Sequence, residues 1–154
     1  MSEALFYHLE RRSLDATLPS LVEKTLQRGW RALIRTESAE RADMIDTLLW
    51  TYDDQSFLPH AQKGDGEAGA QPVLITTEND NANAADVLFL IGGATPPEWD
   101  GTLAKALTRI VLMFDGRDDA SLVAARTNWK AANAAGHDVT YWKESPSGKF
   151  EKQT

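Results

Sequence analysis

The sequence predicts an α/β protein, a three-layer α/β/α sandwich around a largely parallel, Rossmann-like sheet of about five strands. Short apolar segments alternate along the chain with longer segments whose apolar residues recur at helical spacing, which is the pattern of βαβ units. One short segment, Arg109–Asp115, is nearly all apolar, as expected of a strand covered on both faces. Connections between parallel neighbours are then expected to be right-handed.

Capping and turn residues place the elements along the chain. Thr17 is predicted to cap the first helix with Pro19 in its first turn, and Asp118 and Asp119 precede a helix that ends at Gly136. The predicted helices cover residues 18–28, 99–105 and about 120–135, with another that follows a cap at 36–38 and ends near residue 50. The predicted strands cover residues 4–9, 30–35, 73–77, 87–91 and 109–115, with a last short strand at 139–142.

One domain accounts for most of the chain. Its 154 residues can bury a sizeable core, and 42% hydrophobic and 25% charged residues are ordinary for a globular protein. We assign residues 1–144 to a single α/β domain and expect residues 145–154 to be a flexible C-terminal tail. The glycine-rich segment 61–71 is expected to be a mobile loop, because it has no periodic apolar residues.

Charge and composition restrict the partners. A formal net charge of −7 argues against a surface that embraces nucleic acid, since phosphate binding depends on Lys and Arg. A basic face on this acidic background would instead recognise something small and acidic. No apolar run is long enough to cross a bilayer and there is no basic-then-apolar leader, so we expect a cytoplasmic protein without membrane contact.

The sequence carries no recognisable catalytic or cofactor site. It has no cysteine, and its three histidines, His8, His60 and His137, share no metal-ligand spacing. Phosphate-binding and nucleophile motifs are missing. Segment 92–97 follows a strand, but Pro96 and Pro97 lack the N–H groups that bind phosphate. We expect no catalysis, cofactor or metal, and keep a nucleotide-binding α/β enzyme that uses segment 92–97 as an alternative.

The helix before Gly136 carries a candidate binding face. Arg126, Trp129 and Lys130 are spaced i, i+3 and i+4, so they share one side of a helix. Two cations beside an indole can hold a carboxylate and offer an apolar wall. The same spacing also suits a core tryptophan between two solvated cations, and spacing alone leaves both possibilities open.

Aromatic residues cluster after the second helix. Trp50 and Phe57 are predicted to lie on an irregular loop, since Asp53, Asp54 and Pro59 suit neither a buried strand nor a continuing helix. Rings on a loop either pack back on the core or bind a partner, and the sequence does not decide between the two.

Short segments spread over most of the chain form a further pattern. They are, in order, Phe6-Tyr7, residues 31–34 (RALI) and 39–42 (AERA), Leu49-Trp50, residues 56–60 (SFLPH), 86–88 (DVL) and 92–97, Ala125-Arg126, Trp129-Lys130 and Gly136. No one of these is specific, but in this order they resemble the chi subunit family of bacterial DNA polymerase III holoenzyme.

The resemblance implies a non-catalytic accessory subunit, associated with the clamp loader, that binds the acidic C-terminal tail of single-stranded DNA-binding protein. That tail ends in phenylalanine. Arg126 would bind its terminal carboxylate, Trp129 would line a pocket for its phenyl ring, and Lys130 would attract acidic residues upstream. From its position at the end of the fifth strand, we expect Phe114 to form the floor of this pocket.

A second surface follows from the same resemblance. Trp50 and Phe57 would bind the psi subunit of the clamp loader, or alternatively a helicase. The protein would then associate with DNA mainly indirectly, through these partners.

The chain departs from the family pattern beside the tail-binding residues. Leu122 stands where some members have lysine, and Ala132 and Asn133 replace an aromatic residue and an arginine. We therefore expect a less basic patch with lower and less salt-dependent affinity for the tail. Direct binding of single-stranded DNA through this helix is a further alternative function.

Overall fold

The computed structural model describes residues 2–10, 14–51, 61–62, 71–145 and 150–153, with the backbone alone for residues 15, 16 and 61. None of the described helices is both long and apolar enough to cross a membrane. In chain order the elements are β1 (Glu3–Leu9), α1 (Leu14–Gln27), β2 (Ala32–Thr36), α2 (Ala39–Thr51), β3 (Ala61–Gln62), β4 (Val73–Thr76), β5 (Val87–Ile91), α3 (Thr102–Ala106), β6 (Arg109–Asp115), α4 (Asp119–Ala134), β7 (Asp138–Glu144) and β8 (Phe150–Gln153).

All the described strands belong to one sheet, in the order β3-β4-β2-β5-β6-β1-β7-β8. Neighbours are parallel except β7 and β8, which are antiparallel. The largely parallel sheet is therefore confirmed, but the expected number of about five strands is wrong, because the sheet has eight. β3 lies in the segment expected to be a loop and β8 in the expected tail. Short edge strands lack the buried apolar pattern that identifies the others.

Helices cover both faces of the sheet, which confirms the three layers. On one face, Leu18 of α1 and Ile45 of α2 belong to a hydrophobic cluster that includes Tyr7 of β1. On the other face, Ala125 of α4 belongs to a second cluster that includes Phe6 of β1. Successive strand residues point to opposite faces, so β1 contributes to both layers of the core.

The first helix begins earlier than predicted. α1 starts at Leu14, so Thr17 lies inside the helix instead of capping it, and Pro19 is in the second turn. Pro19 removes one helical hydrogen bond, but Leu14 and Leu18 both pack on the core. Burial of this apolar face stabilises the helix in spite of the proline. A single leucine ahead of Thr17 is too little periodicity to predict the extra turn.

The helix with the candidate face starts as predicted. Asp118 precedes α4, and its Oδ2 accepts a hydrogen bond from the backbone N–H of Ser121 at 3.0 Å. Gly136 follows the helix with a φ of +89°, which glycine adopts without strain. α3, in contrast, starts at Thr102, so Trp99 precedes this helix instead of opening it.

Part of the expected tail is folded. Phe150–Gln153 forms β8 along β7, and the ring of Phe150 lies edge-on to Tyr7 with centroids 5.2 Å apart. Tyr7 stacks in turn on Trp142, at 6.1 Å between centroids. The prediction of a flexible tail is therefore wrong for residues 150–153.

We predict that Phe150→Ala lowers the free energy of unfolding by about 1–2 kcal/mol, because a half-buried ring loses its contact with Tyr7. Urea denaturation measures this difference. Glu151→Ala, at an exposed position of the same strand, is the matched control and should change the value by less than about 0.5 kcal/mol. Equal values for the Phe150 variant and the unaltered protein would contradict a packed β8.

Candidate functional site

α4 brings the three predicted residues onto one flank. Arg126, Trp129 and Lys130 all lie within Asp119–Ala134, and Arg126 and Lys130 are exposed. Among the described residues, neither of these two cations has a carboxylate within ion-pair distance, whereas Arg41, Arg109 and Arg117 are each paired. Two uncompensated positive charges therefore lie side by side on α4.

Trp129 is partly buried, so it is neither a fully buried core residue nor a fully exposed one. Its ring contacts Phe6 of β1 edge-on, with centroids 5.5 Å apart, and Tyr141 of β7 at 5.8 Å. Arg126 lies three residues before Trp129 and Lys130 lies four residues after Arg126, so both positions neighbour Arg126 on the helix surface. Trp129 both anchors α4 on the sheet and presents an indole surface beside Arg126.

Phe114 lies under the same region but is buried, with 7% of its surface exposed. Its ring is 5.2 Å from His8 and 6.2 Å from Tyr141 between centroids. Tyr141 thus contacts both Phe114 and Trp129, which links the two predicted residues. Sequence reasoning missed Tyr141, although strand alternation in β7 places it on the α4 face of the sheet.

His8 joins this cluster through hydrogen bonds. Its Nδ1 is 2.5 Å from the hydroxyl of Tyr141, and its Nε2 is 3.0 Å from Oε1 of Glu10. His137, elsewhere in the fold, bonds through Nε2 to the backbone carbonyl of Trp99. The third histidine, His60, lies outside the described residues. The two described histidines therefore have different, specific partners.

The Tyr141 hydroxyl lies in an electrostatically mixed environment. Burial raises the pKa of Tyr141 above its ordinary value, the positive charge of Arg126 lowers it, and the carboxylate of Glu10 raises it. The positive charge of Arg126 therefore opposes the larger effect of burial on the pKa of Tyr141.

A groove of about 780 Å³ lies on the other flank of α4, between that helix and the turn after β5. It is bordered by residues 92–96 and by Ala124 and Asn128 of α4, with Phe114 at the end of β6. Arg126, Trp129 and Lys130 do not line it. Of the four predicted tail-binding residues, Phe114 alone borders this groove.

The glycine turn in this groove has a carboxylate where a phosphate would bind. Gly92 has a φ of +65°, and a Cβ placed there would fall 2.1 Å from Oε2 of Glu37. The nearby cations Arg41 and Arg117 are paired with Glu37 and Asp115 at 3.1 and 3.2 Å. The local charge therefore disfavours nucleotide phosphates.

Trp50 lies in the last turn of α2, not on a loop as predicted, because the helix continues to Thr51. Its side chain is 54% exposed, and Met44 of the same helix is 57% exposed. Phe57 lies outside the described residues. α2 and α4 cover opposite faces of the sheet, so Trp50 is remote from the flank with Arg126.

Known proteins similar to this chain share one description. The family model of the DNA polymerase III chi subunit, HolC, matches residues 1–140. A probable DNA polymerase III subunit chi of Rickettsia prowazekii (strain Madrid E) is 32% identical over 91 residues, which is 59% of this chain and 55% of that protein. DNA polymerase III subunit chi of Escherichia coli (strain K12) is 29% identical over 153 residues, 93% of this chain and 100% of that protein. The chain therefore belongs to the DNA polymerase III chi subunit family.

Proposed function

We propose that this protein is a non-catalytic subunit that links the replicative DNA polymerase III holoenzyme to single-stranded DNA-binding protein by binding its acidic C-terminal tail. The observation that carries the proposal is the flank of α4, where Arg126 and Lys130 have no ion-pair partner among the described residues and share the helix side of the half-buried Trp129. Membership of the chi family supports the replicative context.

The chemistry of this flank matches an acidic peptide that ends in phenylalanine. Arg126 can hold the terminal carboxylate in a bidentate pair, and each such charged hydrogen bond contributes about 1.5–3 kcal/mol. Trp129 and Tyr141 provide aromatic surface for the phenyl ring, supported from below by Phe114. Lys130 attracts acidic residues upstream. The chain as a whole has a net charge of −7, so an acidic surface outside this patch would repel the same peptide.

A second surface at the end of α2 is proposed to bind the psi subunit of the clamp loader, or a helicase. A half-exposed tryptophan on a helix that carries a second exposed apolar side chain, Met44, is typical of a protein anchor. Phe57 is proposed as part of this surface. Because α2 and α4 lie on opposite faces of the sheet, both partners can bind at once.

The protein would thus act in the cytoplasm, without catalysis of its own, and reach DNA mainly through its protein partners. Its acidic balance supports this indirect route, since few cations are available for a phosphate backbone.

We predict that Arg126→Ala weakens binding of an acidic peptide ending in phenylalanine by at least about tenfold, because the terminal carboxylate loses its guanidinium. Isothermal titration calorimetry measures the affinity. The melting temperature should stay nearly unchanged, since Arg126 is exposed.

Arg117→Ala is the control, because it removes another exposed positive charge just before α4. It should leave peptide affinity within about twofold. A large fall in melting temperature for Arg126→Ala, or equal losses in both variants, would contradict a specific carboxylate site. Tight binding of single-stranded DNA alone, falling steeply with salt, would instead indicate the direct DNA binder.

Nucleotide binding in the groove beside Gly92 is the alternative function, favoured by its position at the carboxyl ends of parallel strands. We predict no binding of ATP or GTP, with or without Mg²⁺, at concentrations up to about 1 mM, because Glu37 covers the glycine turn. Calorimetric titration tests this, and micromolar affinity would support the enzyme alternative.

Trp50→Ala is predicted to leave tail-peptide binding unchanged while weakening the second contact by about tenfold or more. Its free energy of unfolding should fall by less than about 1 kcal/mol, because the ring is 54% exposed. Co-purification of a psi subunit or helicase with each variant measures this contact. Met44→Ala is the control, because it distinguishes a specific contact of the tryptophan from a general loss of apolar surface. Severe unfolding of Trp50→Ala would show that the ring belongs to the core.

A further inference from the structure

We propose that a cavity between the C-terminal half of α1 and the sheet binds a small aromatic carboxylate. This α1 cavity has a volume of about 530 Å³, and small-molecule sites usually measure about 300–1,000 Å³. Its lining residues pack on the face of the sheet opposite α4, so this site is independent of the proposed tail binding.

The inner part of the α1 cavity is apolar and aromatic. Leu5, Phe89 and Val111 line it from three strands of the sheet. Trp142 of β7 and Phe150 of β8 also line it, and both rings pack partly buried against the core. Flat apolar walls of this kind suit an aromatic ring.

The polar part of the lining is cationic. Lys24, Arg28 and Arg109 line the α1 cavity, and no carboxylate does. Lys24 and Arg28 are exposed and have no ion-pair partner among the described residues, whereas Arg109 is paired with Glu3 at 2.8 Å. On a chain with a net charge of −7, three cations around one cavity indicate an anionic ligand.

Two of these cations are restrained by one aromatic ring. The guanidinium carbons of Arg28 and Arg109 lie 5.2 and 5.3 Å from the ring centroid of Trp30. Trp30 does not line the α1 cavity, so these contacts leave its volume free. A guanidinium held by a cation–π contact still has N–H groups to donate, and its planar shape matches a carboxylate.

The end of α1 also favours positive charge, because the last carbonyls of a helix form its negative pole. That effect alone would account for Lys24 and Arg28, which lie in the last turn and just after it. It does not account for Arg109, which belongs to β6 and lines the same cavity. Cations from two separate elements therefore surround the same apolar space.

Tyr7 adds a hydrogen-bond donor. The residue lines the α1 cavity and is 9% exposed, and its hydroxyl has no hydrogen-bond partner among the described residues. Two other lining donors are engaged, since Thr25 donates to the carbonyl of Leu21 at 2.9 Å and Trp142 to Oγ1 of Thr140 at 3.1 Å. Burial raises the pKa of Tyr7, so the hydroxyl stays protonated at neutral pH and can donate to a ligand oxygen.

The test is an NMR titration of the ¹⁵N-labelled full chain with indole-3-acetate and, separately, with its neutral analogue indole-3-acetamide. We expect a saturable shift of the indole N–H signal of Trp142, with a dissociation constant for the acetate below about 1 mM. The amide should bind at least about fivefold more weakly, because it cannot pair with the cations. Inorganic phosphate at the same concentration should not displace the acetate, since it has no apolar body.

Two single variants locate the carboxylate. Arg28→Ala should weaken binding of indole-3-acetate at the Trp142 signal by about fivefold or more. Arg126→Ala removes another exposed arginine, on the opposite face of the sheet, and should leave this affinity within about twofold.

Equal affinity for the acetate and the amide would overturn the proposal, and this comparison uses the unaltered protein and needs no variant to fold. Displacement by inorganic phosphate, or equal losses in Arg28→Ala and Arg126→Ala, would show attraction by charge alone and would also overturn it. If the acetate shifts the indole signal of Trp129 but not that of Trp142, the α1 cavity is not a carboxylate site, while the proposed tail binding on α4 stands.

Discussion

The packing of Trp129 against Phe6 and Tyr141 is the contact on which the rest of the site depends. It fixes α4 to the two strands β1 and β7 at the place where the helix carries Arg126 and Lys130. Contacts with two rings of the core restrict the orientation of the indole, and Arg126 lies one turn before it on the helix. A binding site held by a packed ring is preorganised, which lowers the entropic cost of capturing a mobile peptide.

Much of the fold follows from the sequence, because buried strands and capped helices have local signatures. β6 has the predicted bounds, since seven consecutive residues read as a buried strand, and Asp118 caps α4 as expected. Edge strands carry no such signature. β8 is exposed along most of its length and is held by one ring, that of Phe150, and by its pairing with β7. Such a strand is recognised only when its neighbour is known.

The sequence predicts only the part of the candidate site that lies within one helix. Spacing within α4 places Arg126, Trp129 and Lys130 together, because helical periodicity is local. The contribution of Tyr141 and His8 depends on β1 and β7 being neighbours, which is a pairing over more than 130 residues and leaves no local trace. Likewise, Trp50 reads as a loop residue until the helix is seen to continue through it.

The residues that depart from the family pattern have different structural roles. Ala132 of α4 is fully buried in the hydrophobic cluster between this helix and the sheet, and Leu122 is partly buried against that cluster. Both side chains therefore contribute to packing. Asn133 is exposed. The missing lysine at Leu122 and the missing arginine at Asn133 both make the expected patch less basic, and Arg126 and Lys130 remain as its cations.

We propose that an acidic peptide with a terminal phenylalanine binds to the flank of α4 above Tyr141. A titration of ¹⁵N-labelled protein with such a peptide, followed by NMR, shows where the peptide binds. The largest shifts should occur at the indole N–H of Trp129 and at the backbone amides of residues 126–130 and Tyr141. An unmoved indole signal, with the largest shifts around Gly92 or along α2, would contradict the claim.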